Sequence, residues 1–145
     1  MKRLIGIALL LVAIPVFAQT VTINAPATSG TCVKKTVQKK ALDPVTGQIA
    51  IPLKIVNVDV MSCPLIATVT WSGVSLAGNL QGITVKCVKC VNGFDQGLGA
   101  GGYVKTADGS VQVYVSLPGS GPYQIYGDVW GNGDIKSAPV AVTAP

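Results

Sequence analysis

Past its first eighteen residues, this chain has almost nothing from which to build a helix. It contains no glutamate, leucine is sparse, and valine, threonine and glycine recur throughout. β-Branched residues lose rotamer freedom in a helix and fit well on a pleated surface. Short runs of alternating apolar and polar residues are separated by Gly, Asn, Asp and Pro. The pattern predicts an all-β chain of seven to nine short antiparallel strands in a β-sandwich, with a closed barrel as the alternative.

The N-terminus has a different character. Lys2 and Arg3 precede a thirteen-residue apolar run, 4–16, and Val16-Phe17-Ala18 places small residues at the −3 and −1 positions of a cleavage site. This order predicts a cleaved secretory signal at 1–18, too short for a comfortable membrane span. Residues 19–145 then form one domain of 127 residues, with an N-terminal strand extension over about 19–30 and no integral membrane segment. The expected location is outside the cell, at its surface or in a periplasm.

Export also fits the cysteines. Cys32, Cys63, Cys87 and Cys90 predict two disulfides in an oxidising compartment. On a flat strand, Cys87 and Cys90 face opposite sides. The reading therefore leans towards each pairing with Cys32 or Cys63, in unknown order, with local closure at a bend as the alternative. A redox pair would need a helix after the first cysteine, and a zinc site usually has a second C-x-x-C knuckle; neither is visible.

After cleavage the chain keeps nine Lys and six Asp but no His, Glu or Arg. Most catalytic constellations draw on those missing residues. No catalytic residue, cofactor or metal is therefore assigned, and the expectation is a protein that is not an enzyme. Paired lysines at Lys34-Lys35 and Lys39-Lys40 read as a charged edge strand that blocks unwanted pairing, with contact to an anionic glycan or membrane surface as the alternative. Without Arg or interleaved aromatics, they do not make a nucleic-acid surface.

Other motifs resolve as structure. Gly97-Leu98-Gly99-Ala100-Gly101-Gly102 fits G-x-G-x-x-G, but a strand follows it rather than a helix, so 92–102 reads as a glycine-rich loop. Asp108-Gly109 and Asn132-Gly133 read as hairpin turns. Asp128, Asn132 and Asp134 form a weak calcium pattern that turn chemistry also explains. Cys63-Pro64 reads as a strand break.

The C-terminal half carries a resemblance. Ala67-Thr68-Val69-Thr70-Trp71-Ser72, Leu117-Pro118-Gly119-Ser120-Gly121-Pro122-Tyr123 and Ser137-Ala138-Pro139-Val140-Ala141-Val142-Thr143 resemble the tryptophan strand, the tyrosine corner and the last strand of immunoglobulin-like and fibronectin type III modules. The resemblance covers about residues 65–145 and implies an immunoglobulin-like sandwich used for adhesion, binding or assembly.

Two functions follow as expectations. One is a structural or adhesive surface protein, a filament or pilus-like subunit that self-associates or joins other surface proteins by β-strand addition. Val21 and Ile23 in 19–25 would be the anchors, unless that segment is simply the first strand of its own sandwich. The other is a monomeric module binding glycan or protein through 92–102 and the aromatics Phe94, Tyr126 and Trp130. A metal or redox role for the four cysteines is third.

Overall fold

The structure, a computed structural model, describes residues 18–145. The expected signal peptide, apart from Ala18, lies outside the described residues. Nine strands and no helix occur among them: β1 (Thr20–Asn24), β2 (Val33–Lys40), β3 (Ile55–Ser72), β4 (Gly82–Val91), β5 (Phe94–Tyr103), β6 (Gly109–Leu117), β7 (Gly121–Trp130), β8 (Ile135–Lys136) and β9 (Val140–Ala144). They form two antiparallel sheets, as the alternating sequence predicts.

β3 organises the first sheet. β6 lies along one edge of its C-terminal half, from Cys63 opposite Leu117 to Trp71 opposite Gly109. β1 lies along the other edge, Thr20–Asn24 against Ser72–Thr68. β2 follows β1 along that same edge, because Cys32 faces Cys63 from the side opposite Leu117. In the second sheet the order is β5-β4-β7, with β8 and then β9 sharing the far edge of β7.

Between the sheets lie Leu65, Ala67, Val69 and Trp71 of β3, Ile83, Val85 and Cys87 of β4, Val113 and Val115 of β6, and Ile125 and Val129 of β7. Each set follows the two-residue period of its strand, which puts these side chains on one face. The Trp71 indole N–H donates to the Thr106 carbonyl at 2.9 Å, which satisfies its one polar atom.

Both flanks of the sandwich are closed. On one, the connector after β1 crosses to β9: Ser29 N–H donates to Thr143 O, and Thr143 N–H to Ala27 O. On the other, β5 lies against β6, and the expected glycine-rich loop is in fact strand β5. A Cβ at Gly99 would approach Tyr114 O to 2.2 Å, and one at Gly101 would meet Val111 at 2.9 Å. Glycine serves here to let two backbones approach, not to loosen a loop.

Two further expectations are corrected. Asp108-Gly109 is not a hairpin turn, since β5 and β6 belong to different sheets. The Asp108 carboxylate instead accepts from Gly73 N–H at 2.7 Å and Ser72 Oγ at 2.9 Å, tying the crossover to the end of β3. Cys63-Pro64 does not break β3. The Pro64 carbonyl accepts from Gly30 N–H, so its imino nitrogen points to the β1/β2 edge. There the chain has left the ladder to reach β9, and no N–H is required. Asn132-Gly133 does join a hairpin, β7 to β8.

Candidate functional site: a projecting β ribbon

β3 runs for eighteen residues, about 60 Å at the usual strand rise. Only its C-terminal half belongs to the sandwich. Its first eight residues pair with β2 alone, from Val33 opposite Ser62 to Lys40 opposite Ile55. β2 packs on no other strand to any extent. Residues 33–62 are thus a two-stranded arm that leaves the body at the Cys32–Cys63 bridge.

The arm has two distinct faces. Val33, Val37, Val56, Val58 and Val60 share one, together with Lys35 and Lys39. By parity this is the outward face of the sheet, continuous with Pro64 and Ile66 rather than with the core. The other face is mostly polar, with Ile55 and Met61 as its apolar members. Lys34 Nζ lies 3.0 Å from Asp59, and Thr36 Oγ1 donates to Asp59 at 2.8 Å. These two contacts, the lysine first, lower the Asp59 pKa.

The arm also has two free edges. β2 offers the edge with four lysines. β3 offers Ile55–Ser62, which has none. Cys32 and Cys63 have Cα atoms 4.1 Å apart, the spacing of a non-hydrogen-bonded pair. Cys63 therefore turns its backbone polar groups towards β6. By alternation Ile55, Asn57, Asp59 and Met61 turn theirs to the same edge, beyond the point where β6 ends, and among the described residues no strand pairs there.

At the far end, 41–54 forms a compact tip. Asp43 N–H donates to Gln48 O, and Gly47 N–H to Asp43 O. The Asp43 carboxylate accepts from Val45 and Thr46 N–H. This is the turn that Asp43-Pro44-Val45-Thr46-Gly47 predicts. Around it Leu42, Val45, Ile49, Ile51 and Leu53 are all exposed.

Charge is partitioned just as sharply. The arm holds five lysines (34, 35, 39, 40, 54) against Asp43 and Asp59. The rest of 19–145 holds Lys86, Lys89, Lys105 and Lys136 against Asp95, Asp108, Asp128 and Asp134. The body is neutral, and the arm carries the whole net charge of +3 (five lysines less two aspartates).

The residues singled out from sequence lie elsewhere. Val21 and Ile23 are buried in their own core on β1. The four cysteines pair as Cys32–Cys63 and Cys87–Cys90, a correction to the expected distant pairing of the C-x-x-C cysteines. Lys89 adopts φ +47°, and the β4–β5 register shifts between Cys87 and Val91. That bend breaks the alternation and brings both sulfurs to one side. Disulfides fit an oxidising compartment, and no helix among the described residues is long and apolar enough to cross a membrane.

Tyr126 is buried, at 4% exposure, and is closed to a partner. Its hydroxyl donates to Asp95 at 2.6 Å, and Lys136 lies 5.8 Å above its ring. Burial first, then Asp95, raises the Tyr126 pKa; the same hydrogen bond leads in lowering that of Asp95. Nearby, fully buried Asp128 binds Lys86 at 2.8 Å through Oδ2, while Oδ1 has no partner. Asp128 is the main cause raising the Lys86 pKa. Asn132 donates to Ala77 O instead of joining a cation site, and among the described residues no three metal-ligating side chains converge. Trp130 and Phe94 remain exposed.

The arm as a unit was missed from sequence. The signal was present in the aliphatics around Asp43-Pro44 and in the concentration of lysines at 34–54. No family model matches the chain, and no curated protein or solved structure matches it.

Proposed function

We propose that this is an exported, non-enzymatic binding and assembly protein at the cell surface, whose working element is the arm. Assembly adds a strand of a neighbouring surface protein, or of a second copy, to the edge of β3 at Ile55–Ser62. The observation that carries this reading is that edge: unpaired among the described residues, free of lysine and collinear with β6. Main-chain hydrogen bonds would supply affinity, and the adjoining valine face would supply side-chain contacts. Head-to-tail addition of copies builds a filament where the rotation between copies does not close a ring. β1 is less suited to donation, since Val21 and Ile23 already fill their own core. The crossing of the N-terminal segment from β3 to β9 supports an immunoglobulin-like arrangement of the sandwich.

Asn57→Pro tests the reading. Asn57 points its N–H at the open edge, so proline there blocks addition while sparing the ladder to β2. Sedimentation velocity and negative-stain microscopy of mature protein should show assemblies that the variant loses. A mature chain that stays monomeric, alone and with other surface proteins of its source, sinks the reading. A monomeric glycan- or protein-binding module would then be favoured, using Phe94 and the cleft of about 350 Å³ beside Trp71 and Tyr103.

A further inference from the structure

The geometry points to the tip of the arm, residues 41–54, as an element that docks on the surface of an anionic lipid bilayer. This site is separate from the β3 edge and does not depend on strand addition.

The tip exposes aliphatic side chains where a water-facing turn usually carries polar ones. Val45 is 90% exposed and Ile51 97%, with Leu42, Ile49 and Leu53 beside them. A cluster of this kind marks an interaction site. It is also built to leave water. The Asp43 carboxylate is engaged by two backbone N–H groups, and the turn's main chain pairs within itself through Asp43, Gly47 and Gln48. The turn at 43–48 therefore enters the interface with much of its main chain already paired.

Charge selects the lipid. Lys39 and Lys40 lie immediately behind the aliphatics on β2, and Lys54 lies on the returning chain, where Ala41 N–H donates to its carbonyl. Aliphatics in front and lysines behind match the order of acyl chains and phosphates in a leaflet. The +3 charge confined to the arm is complementary to an anionic surface, while the neutral body adds no repulsion.

The same residues limit the depth. Lys35 and Lys39 interrupt the valine face, and the paired strands are eight residues long, short of a membrane-spanning strand. The tip enters the interface and the ribbon stays outside.

The test is flotation of the mature chain with vesicles of phosphatidylcholine alone, or of phosphatidylcholine mixed with phosphatidylglycerol. Binding is expected only to the mixed vesicles, and it weakens as salt is raised. Val45→Ser with Ile51→Ser leaves charge unchanged and should weaken binding at least about 100-fold, since each side chain kept from an apolar phase loses about 1.5 kcal/mol or more. Lys39→Gln with Lys40→Gln should weaken it roughly 30-fold, at about 1 kcal/mol per lysine. Both pairs should keep the wild-type thermal midpoint. A tryptophan introduced by Val45→Trp should shift its emission to the blue and be quenched by brominated lipid, with mixed vesicles only. Failure to bind the mixed vesicles overturns the proposal, and so does binding that the serine pair leaves unchanged. Tip variants that alter sedimentation of the lipid-free protein, without any vesicle binding, would assign the tip to a protein contact instead. Loss of assembly in Asn57→Pro with vesicle binding intact would separate the two sites.

Discussion

Replacing Cys32 and Cys63 by alanine should destabilise the whole domain while leaving local opening of the arm nearly unchanged. The bridge spans 31 residues of sequence, so in the chain-entropy description it restricts the unfolded state by about 3.7 kcal/mol. The Cys87–Cys90 bridge spans 3 residues, and the same relation gives about 1.6 kcal/mol. The arm itself gains little, because Gly30 already ties its base to the Pro64 carbonyl with or without the bridge. Native-state hydrogen exchange distinguishes these effects. Amides at Val69 and Val113, deep in the core, exchange through global unfolding and should speed up about 500-fold in the double variant. Amides of β2 exchange by local opening and should keep their rates. The thermal midpoint should fall by about 10–20 °C. The reasoning is refuted if the β2 amides accelerate while the core amides do not. It is equally refuted if the Cys87→Ala/Cys90→Ala protein loses as much stability.

Lys86→Met strands the Asp128 carboxylate, whose Oδ1 already lacks a partner, and should cost about 3 kcal/mol in urea unfolding. Adding Asp128→Leu should recover most of it. Lys86 and Tyr126 hold their protons more tightly folded than unfolded, above their ordinary values of 10.5 and 10.0. Their contribution is therefore complete below about pH 10 and lost as pH rises through the raised values; Tyr126→Phe should make that loss shallower. Gly99→Ala drives a methyl into the Tyr114 carbonyl and should cost about 1–3 kcal/mol, whereas Gly97→Ala, whose Cβ meets only Thr84 at 3.7 Å, should stay within about 0.5 kcal/mol by thermal unfolding.

The strands were legible where one face is buried. Ala67, Val69 and Trp71, and Ile83, Val85 and Cys87, alternate because the core removes every second side chain from water. β5 was hidden because its glycines answer to the backbone of β6, a partner that adjacent sequence does not reveal. The Asp108-Gly109 pair misled for a similar reason: its carboxylate serves Gly73, 35 residues away. Cys87 and Cys90 were placed on opposite faces by alternation, which one left-handed residue, Lys89, undoes. The lysines of β2 were correctly read as an edge. Their meaning changed only when β3 was seen to extend past the sandwich with β2 as its sole companion.

The continuity of β3 has a mechanical consequence. A pull on the tip directed along this strand is delivered to the middle of the first sheet without passing through a loop. It loads the β3–β6 and β3–β1 ladders in shear, with the hydrogen bonds of nine and five residue pairs resisting together rather than peeling apart in turn. Tension on β2 meets the Cys32–Cys63 covalent link at the arm's root and passes into the same strand. A body tethered by its tip would thus bear traction in the direction in which a sheet yields least.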